Sequence, residues 1–121
     1  MNIEQYRDYC LSKKGVTEHF PFNETTLVFK VMGKMFALCG LERHPFGVNL
    51  KCDPERSIEL REEHESSIMG AFHMSKKHWN TVVPNTSFSD DFFIELIDHS
   101  YDLVVKGLTK KLRTELEKIK E

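Results

Sequence analysis

Apolar residues near the start of the chain, Ile3, Tyr6, Cys10 and Leu11, fall at helical spacing. Lys13, Lys14 and Gly15 then supply a basic last turn and a glycine exit, so a helix is predicted over residues 2–13. The next stretch, VTEHFPFNE, reads as a loop whose two phenylalanines around Pro21 cover an edge of the core. From Thr25 the period changes to that of strands. TTLVFKV and KMFALCG are rich in β-branched and aromatic residues, and Met32-Gly33 between them suits a hairpin. In FGVNLKC, Phe46, Val48, Leu50 and Cys52 alternate with Gly47, Asn49 and Lys51, the plainest one-sided strand in the sequence. Three strands with short links imply an antiparallel meander with one face buried.

Asp53 as N-cap and Pro54 at the first helical position start a second helix, which should end near Glu63 to Glu65. IMGAFHM and HWNTVV read as two further strands around Ser75-Lys76-Lys77, with Pro84 and Asn85 ending the second. Ser89 followed by Asp90 and Asp91 caps the longest helix, and Phe93, Leu96, Ile97, Ser100, Tyr101, Val104 and Leu108 trace its sheet-facing stripe to an exit at Gly107. The last segment, LTKKLRTELEKIKE, is expected as a short helix or a fraying tail. The order α-β-β-β-α-β-β-α predicts an α+β domain of two layers, helices on one face of a five-stranded antiparallel sheet. The other sheet face is then available.

At 121 residues, 40% apolar and 30% charged, the chain fits one globular domain spanning residues 1–121. No run approaches the roughly 18 to 20 apolar residues that cross a bilayer, and MNIEQYRDYC lacks the basic-then-apolar order of an export signal. A cytoplasmic location without membrane attachment is expected. Cys10, Cys39 and Cys52 have no close-paired spacing of the kind that binds zinc or exchanges disulfides, and read as reduced, buried thiols.

The formal net charge of -2 argues against a nucleic-acid partner until its distribution is considered. Residues 25–52 carry Lys30, Lys34, Arg43 and Lys51 against Glu42 alone, and residues 66–82 carry Lys76 and Lys77 against no acid. Residues 53–65 hold six acids against two arginines, and residues 83–105 hold five acids with no lysine or arginine. The strand regions are thus positive and the helices negative, a segregation that gives a near-neutral protein one face able to steer toward a polyanion.

Candidate chemistry is sparse. His73 and His78 are five apart, which is not the i and i+4 spacing of a helical metal pair, and no third ligand is implied, so no metal or cofactor is expected. No serine or cysteine sits in an activating context and the acids cluster at helix starts, so no catalytic residue is assigned. Trp79 is expected at the core or its edge rather than as a base-stacking platform. Lys76 and Lys77 lie where a turn projects into solvent and are the better candidates for phosphate contact.

FPFNETTLVFKVMGKMFALC, VNLKCDPE and HMSKKHWNTV, in this order, resemble the MmcQ/YjbR family of small bacterial proteins, as does SYDLVVKGLTKKL near the end. Asn23 and Ser75 depart from the residues most frequent in such proteins. The resemblance implies a two-layer fold related in shape to secretion chaperones, DNA contact through a pair of projecting wings, and no accepted catalytic residues. The leading expectation is a non-enzymatic domain contacting DNA through Lys30 and Lys34 on one hairpin and Lys76 and Lys77 on the other. Lys51 and Arg43 extend that patch, and His78 adds a protonatable imidazole. The alternatives are a protein-binding, chaperone-like module using the open sheet face, and a small-ligand binder or enzyme in which the histidines and Asn80 converge in a pocket.

Overall fold

A computed structural model of the chain describes residues 1–71, 73–84 and 88–120. Among them the order is α1 (Ile3–Ser12), β1 (Val16–His19), β2 (Thr26–Val31), β3 (Lys34–Gly40), β4 (Val48–Lys51), α2 (Pro54–Glu63), β5 (Ile68–Gly70), β6 (Trp79–Val82), α3 (Asp90–Lys106) and α4 (Lys110–Lys118). The strands form one antiparallel sheet in the order β1-β2-β3-β4-β6-β5, and the fold is α+β as expected.

The described sheet has six strands rather than five, because VTEH, read as loop, pairs with Val28–Val31 as edge strand β1. Four residues, of which only Val16 is apolar, carry too little alternation to announce a strand. Glu18, opposite core-facing Phe29, sits on the helix side of the sheet, where Arg7 of α1 grips its carboxylate with two hydrogen bonds, at 2.7 and 3.1 Å. The strand expected over IMGAFHM ends at Gly70, and the backbone of His73, at φ +64°, is left-handed and unable to extend it. Phe72 of that segment and Asn85, expected to end β6, lie outside the described residues.

Capping chemistry sets the helix starts. Asn2 and Gln5 exchange hydrogen bonds of 2.9 Å in a capping box, Asp53 accepts from Arg56 N at 3.2 Å, and Ser89 accepts from Phe92 N at 3.2 Å. Thr109 caps α4 in the same way, so the C-terminal segment is a helix.

One parity of the strands meets the helices. Leu27, Phe29, Cys39, Val48, Leu50 and Val82 join Tyr6 of α1, Leu60 of α2, Phe93 and Ile97 of α3 and Leu116 of α4 in a single core. A β-bulge between Phe29 and Lys30 opposes an extra residue, Phe36, which turns into this core beside Ala37. Met35 and Leu38 are thereby left together on the opposite face. Ser100 then fastens α3 to the sheet, accepting from Lys51 N at 2.8 Å and donating to the Phe36 carbonyl.

Candidate nucleic-acid interface

Strand direction decides which charges meet. β2 runs down to the Met32-Gly33 turn and β3 starts back from Lys34; β4 ends at Lys51, which faces Trp79 at the start of β6. The connection bearing Lys76, Lys77 and His78 therefore leaves the same end of the sheet as Lys34 and Lys51. Adjacent strands lie about 4.8 Å apart, so the ends of β3, β4 and β6 form a compact row. Lys30, half-buried opposite Met35, stands just inside that row on the face away from the helices.

Lys34 and Lys51 share one surface cleft of about 350 Å³ with Met35, Trp79 and the last turn of α3. Lys76 and Lys77, both exposed, border a second of about 330 Å³ against Pro54, Ile58 and Arg61 of α2. The stem of Lys76 lies on Gly70, where an added Cβ would stand 3.1 Å from it. The turn itself is closed by the Ser75 carbonyl, which accepts from His78 N and Trp79 N at 3.1 and 2.9 Å.

Arg43 does not join this group. It lies in the β3–β4 connection at the far end of the sheet, folded over Gly47, so its expected extension of the patch is not seen. Lys13, at the basic end, is engaged: its ammonium pairs with Asp98 at 2.7 Å and lies over the rings of Tyr9 and Tyr101. Asp98 also accepts from the Tyr9 hydroxyl at 2.5 Å, and burial together with this bond raises the Tyr9 phenol above its ordinary range.

The histidines do not gather round Asn80; among the described residues only His99 of them shares a lining with it, in a cavity of about 10 Å³. Asn80 faces the helices and is buried, its side-chain oxygen accepting from Ser57 at 2.8 Å and Arg61 Nε at 2.7 Å. His73 instead borders a cleft of about 510 Å³ on the opposite sheet face. Among the described residues no three of His, Cys, Asp and Glu are grouped so as to hold a metal ion. Cys10, Cys39 and Cys52 are free and buried, and burial raises their thiols to about 12, 11 and 11, away from nucleophilic use.

Sequence reasoning left the face away from the helices open for a partner but missed the cleft on it. That face is not bare: Val28, Leu38 and Thr81 are buried along it, and the 510 Å³ cleft above them is walled by Trp79, Met35, Met74 and Phe22. Trp79 is half-buried, at the core's edge as expected, and lines both this cleft and the one holding Lys34 and Lys51, so it forms a wall between two surface sites. The strand alternation from Trp79 to Val82 carried the signal, since Asn80 and Val82 inward require Trp79 and Thr81 outward.

Fold and site together define a two-layer α+β domain whose sheet gathers lysines at one end beside an aromatic-walled cleft. The chain belongs to the YjbR family, whose profile matches residues 11–103. It is 42% identical to the uncharacterized protein YbdF of Escherichia coli O157:H7 over 93 residues, covering 76% of this chain and 75% of that protein. The crystal structure of Deinococcus radiodurans protein DR2400, with domain DUF419, superposes with a TM-score of 0.88 at 40% identity, over 96% of this chain and 88% of the other. A Pseudomonas syringae protein structure gives a TM-score of 0.69 at 27% identity, over 85% and 98%. No described helix is long and apolar enough to cross a membrane.

Proposed function

We propose that the domain is a cytoplasmic, non-enzymatic DNA-binding protein that holds phosphates at the basic end of its sheet. The observation that carries this reading is the placing of Lys34, Lys51, Lys76, Lys77 and His78 on one sheet end, with Lys30 just behind them. Glu62, Glu63, Asp90 and Asp91 fall toward the other end, where α2 finishes and α3 begins. A protein of net charge -2 thus presents a positive pole, and phosphate contact draws on local rather than total charge. Asp53 and Glu55 at the start of α2, and Asp98 on α3, which is paired with Lys13, are among the acids that temper it.

The test is the salt dependence of binding to a labelled duplex. Affinity should fall steeply with salt, and Lys76→Ala with Lys77→Ala should reduce the log–log slope by about two, as should Lys34→Ala with Lys51→Ala. Arg43→Ala, at the far end, should leave the slope unchanged. Salt-insensitive binding, or no binding at low salt, rejects the reading.

A further inference from the structure

We propose that the cleft on the helix-free face receives an unpaired nucleobase, so that the domain prefers single-stranded to duplex DNA. This rests on the phosphate reading above and adds where a base goes.

Three features of the cleft select a flat ring attached to an anion. Its walls are aromatic and soft: the half-buried indole of Trp79 and the Phe22 ring, 66% exposed, with the polarizable thioethers of Met35 and Met74 between them. Leu38 supplies an apolar floor, and Asn49 a polar one. The Asn49 oxygen accepts from Thr81 Oγ1 at 2.7 Å while, among the described residues, its Nδ2 meets only the weak acceptor Met74 Sδ at 3.4 Å, so the amide keeps capacity to pair with a base edge. Charge is complementary at the correct side: Met35 and Trp79 also line the cleft of Lys34 and Lys51, so a base against the indole leaves its phosphate toward two ammonium groups. Stacking on an aromatic beside a basic groove is how unpaired strands are held without sequence preference. Bases stacked inside a duplex do not reach a ring recessed between Phe22 and the 73–75 segment.

Trp79 is the chain's one tryptophan, so its fluorescence reports on the cleft directly. The full chain is titrated at low salt with an oligothymidylate, with a duplex of equal length and with thymidine monophosphate. The expected result is tighter binding of the oligothymidylate than of the duplex, with quenching of Trp79 by the single strand only. Phe22→Ala, at an exposed position that leaves the fold intact, should weaken oligothymidylate binding about tenfold, and Trp79→Leu, followed with a labelled strand, should do at least as much. Lysine-dependent binding of both nucleic acids without quenching overturns the cleft assignment and leaves the phosphate reading standing. Failure to bind either overturns both. Equal affinity for the monophosphate and the oligothymidylate assigns the cleft to a free nucleotide and overturns the strand preference.

Discussion

Arg61 of α2 donates its Nε–H to the side-chain oxygen of Asn80 on β6, 2.7 Å away, and its terminal nitrogen reaches the Lys76 carbonyl. One guanidinium thus satisfies a buried amide oxygen and braces the turn that carries Lys76 and Lys77. Arg61→Met keeps the stem but leaves the Lys76 carbonyl without this donor. Urea denaturation should show a loss of about 1–3 kcal/mol. Amide exchange at His78 and Trp79 should quicken, because their bonds to the Ser75 carbonyl close the same turn. Arg61→Lys should not restore either property, since one ammonium does not reproduce the two directions of the fork.

Burial gives the thiols a clear signature. With Cys10 raised to about 12 and Cys39 and Cys52 to about 11, less than a hundredth of each should be thiolate at pH 8. A disulfide reagent should label none of the three rapidly in the folded protein. All three should react at once in denaturant. Fast stoichiometric labelling of one cysteine under native conditions would show that its site opens.

Helix boundaries were legible because capping is local chemistry. Asp53-Pro54 and Ser89-Asp90-Asp91 name their helix starts without help from the rest of the fold. Strand phase was harder, because it depends on partners. Strict alternation through KMFALCG puts Phe36 and Leu38 on one face, whereas the bulge opposite Phe29 and Lys30 sends Phe36 to the core and leaves Leu38 with Met35. No glycine marks that bulge, so a single sequence hides it, and with it one wall of the cleft. Charge blocks located the lysines correctly but not their ends of the sheet. Arg43 and Lys51 belong to one positive block and are carried to opposite ends by β4.

His99 gives the fold a pH dependence of known sign. Burial first, and the Arg56 cation second, lower its pKa from the ordinary 6.5, against the opposing carboxylates of Glu95, Asp53 and Asp102. The folded state therefore resists protonation more than the unfolded chain does. Its contribution is complete above 6.5 and is lost as pH falls from there toward the lowered folded value. The neutral ring also accepts from Asp53 N at 3.2 Å at the start of α2, which a protonated ring does not do. His99→Gln keeps an acceptor that does not titrate. Its denaturation free energy should fall less than that of the parent between about pH 7 and pH 5. Parallel curves for the two proteins would remove His99 as the cause.

Two glycines with left-handed backbones separate conformational strain from steric strain. At Gly33, φ +82°, nothing lies within 4 Å of an added Cβ, so Gly33→Ala should cost only the conformational penalty of about 1–2 kcal/mol. At Gly15, φ +76°, the added Cβ would stand 2.6 Å from Leu116 Cδ1 and 3.2 Å from Met32 Sδ. Leu116 is the buried contact of α4, so Gly15→Ala should add about 1–3 kcal/mol of overpacking to the same backbone term. Leu116→Ala alone should destabilise by leaving a cavity. Combined with Gly15→Ala, it should destabilise by less than the sum of the two, because the methyl then enters space the leucine has vacated. Additive losses would mean that α4 moves as a unit instead of yielding at Leu116.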